Sequence, residues 1–361
     1  CELSRGLGDV YKRQLIYPDT NTSSLTLNQR MKYKNIFLTG STGILGKPLL
    51  KKLVNEGHSV FALSRNKLNN DFLISNNAKI INGDLFNDDI YEQLKEKSIE
   101  AIFHVAGENK KCQKDPSGMF KTNIEGTKQM LELGNKLNIE KFIYTSSAAT
   151  LGEKKGSIGN EDSTHRGTFL SDYEESKYLA EEVAFAFNKE FEFVSINPSS
   201  VQGPGRMSGT AKLLISTLNK KFPPLIKSSV SVVDIDDCTE GHYLGLINGK
   251  NNERYVLNSF RLDIDVLIEN LKSITSWNGS PIYISKQLFT GLGPLFDIFG
   301  KFTSLGGVIC GETIRVLTHG HLYDGQKAEK ELGLNYTSID DFISKTISWL
   351  NSEKLTKVDI N

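Results

Sequence analysis

No charge imbalance marks this chain. Its 43 Lys and Arg are matched by 43 Asp and Glu, for a formal net charge of +0. A protein that binds nucleic acid or an anionic membrane through its field needs a basic excess, so neither is expected as a partner. Long apolar runs are also missing. No stretch reaches the roughly 18 uninterrupted apolar residues of a membrane helix, so no integral membrane span is expected. Cysteine is scarce: Cys1, Cys112, Cys238 and Cys310 are scattered without metal-ligand spacing. They read as reduced thiols of a cytoplasmic protein, with no metal site. Internal repeats and low-complexity tracts are absent.

What is present is an alternation. Strand-like segments fall near 35–39, 59–64, 79–82, 101–105, 141–146 and 192–197, and helix-like segments near 43–56, 88–97, 115–137 and 171–189. This order predicts an α/β fold: a Rossmann-type, doubly wound parallel sheet with helices on both faces and a smaller C-terminal substrate-binding region. A ligand of such a sheet lies across the carboxyl ends of its strands.

Two motifs carry chemistry. The apolar run Asn35–Thr39 leads into Gly40-Ser41-Thr42-Gly43-Ile44-Leu45-Gly46, and a helical stretch with Leu49, Leu50 and Leu53 follows. Glycines permit the tight turn and let backbone amides approach a pyrophosphate at the helix N-terminus. A Gly-rich loop without a ligand is the plainer alternative, but the strand-turn-helix context is the one a dinucleotide loop requires. Further on, Tyr173-Glu174-Glu175-Ser176-Lys177 places a phenol and an ammonium one helical turn apart. A nearby cation favours the phenolate, which suits Tyr173 as a general acid/base. The spacing alone occurs in many helices, and the upstream loop gives it meaning.

Together these motifs resemble the short-chain dehydrogenase/reductase family, in its extended branch, the NAD-dependent epimerase/dehydratase superfamily. Other segments match in order: Asn82-Gly83-Asp84-Leu85, Phe103-His104-Val105-Ala106-Gly107, Thr122-Asn123-Ile124-Glu125-Gly126-Thr127, Tyr144-Thr145-Ser146-Ser147-Ala148 and Asn197-Pro198-Ser199-Ser200. The resemblance covers about residues 32–350. It implies a cofactor site from Gly40, Thr42, Gly43, Ile44, Leu45, Gly46, Arg65, Asp84, Leu85, Ala106, Gly107, Tyr173 and Lys177. It also implies a catalytic set of Ser147, Tyr173, Lys177 and Asn123. In that set Tyr173 moves the proton, Lys177 lowers the Tyr173 pKa and holds the nicotinamide ribose, and Ser147 stabilises charge on the substrate oxygen. Asn123 holds a water or backbone group, or is purely structural. Ser146 is the alternative hydroxyl; alignment on Gly152 favours Ser147. His104 and His165 are not needed by this mechanism.

Within the resemblance, Ser64-Arg65-Asn66-Lys67 stands where NAD enzymes usually carry an acid. Arg65, helped by Ser64, suits a 2′-phosphate, so NADP is expected and NAD is the alternative. Ala148 and Ala149 follow Ser147 where dehydratases carry an acid, which argues against dehydration. The chain looks closest to dihydroflavonol-reductase-like and 3β-hydroxysteroid-dehydrogenase-like members. A small carbonyl or alcohol substrate is therefore expected. A nucleotide-sugar epimerase is the alternative, and a non-catalytic NADP-binding redox sensor is less favoured because Ser147, Tyr173 and Lys177 are all kept. The family analogy leaves a homodimer open.

The domain reading is 31–205 for the dinucleotide core and 206–350 for the substrate region. A return strand and helix near 231–248 complete the core, and 351–361 form a polar tail. Tyr323-Asp324-Gly325 resembles the closing motif of extended members. Residues 286–310 are strongly apolar, suiting packing of a capping helix, a lid, or a contact surface. Residues 1–14 look like the translation of a sequencing-adaptor end and 15–30 like upstream sequence, which makes Met31 the expected natural start.

Overall fold

The computed structural model describes residues 32–284 and 310–360, apart from Asp88, Ser208 and Gly209. The expectations for residues 1–30 and for 286–309 fall outside the described residues.

Seven parallel strands build the central sheet: β1 (Asn35–Thr39), β2 (Ser59–Ser64), β3 (Lys79–Asn82), β4 (Ala101–His104), β5 (Lys141–Thr145), β6 (Glu192–Pro198) and β7 (Glu253–Leu257). Their order is β7-β6-β5-β4-β1-β2-β3. The chain runs outward in one direction from β1 to β3 and in the other from β4 to β7. The sheet thus has a switch point between β1 and β4, where the carboxyl ends open into a crevice.

Alternate residues of each strand enter opposite layers. Ile36 and Leu38 pack with Leu49, Leu50 and Leu53 of α1 (Gly46–Asn55), and Phe37 joins Met130 of α2 (Gly126–Leu137) and Ala180 of α3 (Asp172–Ala186) on the other face. The first layer is completed by Tyr243 and Leu246 of α4 (Ile235–Asn248). Each large apolar side chain fully buried in this way contributes about 1.5–3 kcal/mol. Pro48 sits in the first turn of α1, where a missing N–H breaks no helical bond.

Two expectations need correction. The helix foreseen over 115–137 is interrupted by a π-helical turn at Lys121–Glu125. The strand foreseen at 231 forms as Ser229–Asp234 but does not join the central sheet. It pairs with Ser200–Gln202 and Phe260–Asp263 in a separate three-stranded sheet, and Glu253–Leu257 takes the edge beside β6. The reason is burial. Val232 faces a C-terminal core with Ile264, Ile268, Phe342 and Ile347, while Val233 belongs to the layer under α4. In the C-terminal tail, Thr356 and Val358 are buried, and Ile360 bridges to Thr275.

Candidate functional site

The glycine loop closes the crevice at the end of β1. Gly40 has φ +72°, and its carbonyl accepts the Gly43 N–H at 2.9 Å. A Cβ on Gly46 would lie 1.9 Å from the Gly40 oxygen, so only glycine lets α1 start against this turn. Gly43 and Ile44 face outward, Thr42 and Leu45 are half-buried, and no side chain caps α1. The turn, the open outer face and the uncapped helix start together fit a dinucleotide pyrophosphate.

The far wall is fixed by buried polar contacts. Thr39 Oγ1 accepts from the Ala106 N–H at 3.2 Å and bonds His104 Nδ1 at 2.9 Å. His104 also meets Thr127 Oγ1 at 3.2 Å, and burial lowers its pKa to about 3, so the imidazole is neutral and structural. Asn123 Oδ1 accepts from Glu108 N at 2.8 Å, while Nδ2 donates to Glu108 O at 3.0 Å and Ser176 Oγ at 2.9 Å. Its amide is committed to clamping the loop after Gly107 onto α3. On the opposite side Leu85 is buried against Gly126, and the exposed Asp84 caps its own turn by accepting Phe86 N–H at 2.9 Å. Arg65 is exposed just beyond β2. Ser64 is not beside it in solvent. It is buried, and its hydroxyl donates toward Asn70 Oδ1 at 2.8 Å and Asn66 O at 3.2 Å, leaving no donor for a phosphate.

Ser171 caps α3 by accepting the Glu174 N–H at 3.2 Å, which sets Tyr173 and Lys177 on the turns facing β5. The Tyr173 phenol lies near the Ser147 hydroxyl, which pulls its pKa down. Ser146, the alternative, is 3% exposed, and its hydroxyl has no partner, pointing into the protein. Ser147 is held by Asn197, whose Nδ2 donates to the Ser147 carbonyl at 3.2 Å, Thr150 Oγ1 at 3.1 Å and Glu181 Oε1 at 2.7 Å. Lys177 Nζ donates to Tyr144 Oη and to the Thr145 carbonyl, each at 2.8 Å.

The electrostatics differ from the simple Tyr–Lys expectation. Burial raises the Tyr173 pKa, and the opposing pulls come from the Ser147 hydroxyl and the Arg206 charge rather than from Lys177. Burial also lowers Lys177 to about 7, against the attraction of Glu181. Desolvation wins at both groups: Lys177 is buried, and Tyr173, though half-buried, is enclosed enough to disfavour its phenolate. In the free protein Tyr173 is therefore a neutral phenol. Sequence reasoning missed Glu181 and Asn197 as supports. The one available signal was the four-residue spacing from Lys177 to Glu181 on α3.

The cysteine expectation is overturned. Cys112 and Cys310 form a disulfide across a sequence separation of 198, with Cα atoms 5.9 Å apart. Only the fold brings them together, since neither has a cysteine neighbour in sequence. Cys238 is free and buried. Cys112 and Cys310 are thus not the reduced thiols expected from sequence. Beside the bridge, Glu312 of α5 (Gly311–His319) accepts the N–H groups of Cys112 at 2.8 Å and Asp172 at 2.9 Å. This ties the C-terminal region to the start of the helix that carries Tyr173. No described helix is long and apolar enough to cross a membrane.

Comparison with known proteins agrees with this architecture. Residues 36–257 match the NAD dependent epimerase/dehydratase family. A putative dihydroflavonol 4-reductase of Synechocystis sp. is 27% identical over 335 residues, covering 89% of this chain and 96% of its own. A putative UDP-glucose 4-epimerase of Methanocaldococcus jannaschii is 24% identical over 260 residues, covering 69% of this chain and 85% of its own. The crystal structure of gox2253 superposes with a TM-score of 0.76 at 25% identity, covering 90% of this chain and 100% of that one. With the seven-stranded sheet, its glycine turn at the switch point and a family match over more than half its length, the chain belongs to the NAD dependent epimerase/dehydratase family of NAD(P)-dependent oxidoreductases and epimerases.

Proposed function

We propose that this enzyme reduces a ketone or aldehyde, or oxidises the corresponding secondary alcohol, at Ser147, Tyr173 and Lys177. The observation that carries the reading is the placement of Ser147, just past the carboxyl end of β5, beside Tyr173, close enough that its hydroxyl pulls the phenol pKa down. Such a pair presents two hydroxyls to one substrate oxygen. The bound dinucleotide supplies or accepts the hydride. The protein's part is proton transfer and orientation. Tyr173, kept neutral by burial, donates its phenolic proton to the oxygen as charge develops there. Ser147 donates a hydrogen bond to the same oxygen, and Asn197 fixes the backbone that presents it. Lys177, at about 7, exchanges a proton near neutral pH and would hold the nicotinamide ribose. Asn123 acts by position, through its clamp on Glu108 and Ser176.

NADP is the proposed cofactor. Arg65 is exposed past β2 with no carboxylate among Ser64–Lys67, and a guanidinium there pairs with a 2′-phosphate where an acid would repel it. The small-molecule substrate belongs to the dihydroflavonol-reductase-like class. Tyr173→Phe tests the catalytic assignment: turnover with a carbonyl panel should fall at least about 100-fold while NADPH binding is kept. Wild-type turnover would overturn it. The nucleotide-sugar epimerase reading rests on the Methanocaldococcus relative. It is separated by accounting: a reductase consumes NADPH one-for-one with product, whereas an epimerase converts its sugar without net consumption.

A further inference from the structure

Glu153, between Ser147 and Tyr173 in sequence, meets two histidines from the far end of the chain in a group the proposed chemistry does not use. Glu153 follows the left-handed Gly152, and His319 and His321 flank Gly320 at the end of α5. Glu153 is 2% exposed, and the His319 and His321 side chains are 7% and 16% exposed. Glu153 Oε1 lies 3.2 Å from His319 Nε2 and 2.6 Å from His321 Nδ1, and the three donor atoms all fall within 4.8 Å of one another. A hydrogen-bonded trio does not satisfy these atoms. Glu153 Oε2 is buried with no partner, and His319 Nε2 meets only Oε1, at 3.2 Å, which leaves donor capacity unused in a buried cluster.

Charge points the same way. The nearby Arg166 donates to the Glu153 carbonyl at 3.3 Å, but its charge is already paired with Glu174. One carboxylate is left over, facing two imidazoles. A tetrahedral ion bound at about 2.0–2.2 Å holds its donor atoms about 3.4 Å apart. The two carboxylate–imidazole separations, 3.2 and 2.6 Å, fall below that value, and small side-chain rotations would open them to it.

We infer that Glu153, His319 and His321 form a binding site for one divalent transition-metal ion, zinc by its mixed nitrogen–oxygen ligand set. Three protein ligands leave a fourth position for water or for Tyr323, whose Oη is 2.9 Å from His321 Nδ1. The ion fastens the C-terminal segment to the turn that follows Ser147. It reinforces the short pairing of Leu322–Tyr323 with Ile158–Gly159. The site thus acts as a clip between the two parts of the chain that flank the substrate side of Tyr173.

The test reads metal uptake rather than turnover, so it stands or falls separately from the proposed reaction. Untagged full-length protein is stripped with a chelator, dialysed, and titrated with Co²⁺ while its visible absorption is followed. Zn²⁺ is then used to displace the cobalt. The expected result is one equivalent of Co²⁺ with the intense ligand-field bands of a tetrahedral site, bleached by one equivalent of Zn²⁺. His321→Gln and Glu153→Gln should weaken uptake at least about 100-fold. Absence of saturable bands in the wild-type protein overturns the site, whatever the variants do. So does unchanged affinity in a variant whose circular dichroism matches wild type.

Discussion

Gly46→Ala is a one-methyl change whose consequences are set by the glycine turn. The added Cβ would sit 1.9 Å from the Gly40 oxygen, 2.7 Å from its carbonyl carbon and 2.8 Å from Ser41 Cα. Real Cβ atoms essentially never approach closer than 3.0 Å, and here every obstacle is backbone. The Gly40–Ser41 turn must therefore retreat. Gly40 cannot simply move the other way, because a Cβ probe at Gly40 already meets Ala106 N at 2.6 Å at the end of β4. Overpacking of this kind costs about 1–3 kcal/mol. If the turn relaxes out of its binding shape, restoring it on binding costs a similar amount, which corresponds to about 5- to 150-fold in dinucleotide Kd. Gly43→Ala separates binding from folding, since its Cβ would meet only the Gly40 oxygen, at 3.2 Å. That variant should fold nearly normally yet bind worse, because its methyl occupies the face left open for phosphate. Gly118→Ala is the control, with nothing within 4 Å and a helical backbone, and should be neutral or stabilising by up to about 1 kcal/mol. Fluorescence titration with NADPH and NADH, alongside thermal melts, reads both quantities. Wild-type Kd and Tm in Gly46→Ala would refute the reasoning.

Other expectations follow from the same contacts. Lys177 has a folded pKa of about 7, below its ordinary 10.5, so the cost of burying its charge is fully present below pH 7 and disappears as pH rises toward 10.5. Lys177→Met should therefore be relatively more stable than wild type at pH 6 than at pH 10, by up to about 4 kcal/mol; parallel stability–pH curves in the cofactor-free proteins would count against it. Asn123→Ala strands the Glu108 amide and carbonyl and the Ser176 hydroxyl. It should cost about 2–4 kcal/mol in urea unfolding and leave residual turnover, whereas complete loss with unchanged stability would mark Asn123 as chemical rather than positional. Opening the Cys112–Cys310 bridge, by reductant or in Cys112→Ser, removes a cross-link over a separation of 198. Chain entropy makes this worth up to about 5 kcal/mol; identical melts with and without reductant would show that the bridge does not form.

The sequence by itself determined the parts of the protein that are local. Strand and helix periodicity placed the first six central strands, because alternation of Ile36, Phe37 and Leu38 between two layers is written into consecutive residues. The glycine loop was legible for the same reason: its turn, its helix start and their steric limits lie within seven residues. The Tyr173–Lys177 spacing was legible as geometry, though not as electrostatics. Only the tertiary structure decided that burial, rather than the neighbouring ammonium, sets the state of the phenol, since desolvation depends on what the rest of the chain piles on top. Only the tertiary structure took Glu253–Leu257 into the main sheet and left Ser229–Asp234 out of it, because an apolar run does not say which sheet edge it will meet. The disulfide and the Glu153–His319–His321 group belong to the same class. Each joins parts of the chain more than 150 residues apart, and chemistry at that range becomes visible only when the fold has closed the distance.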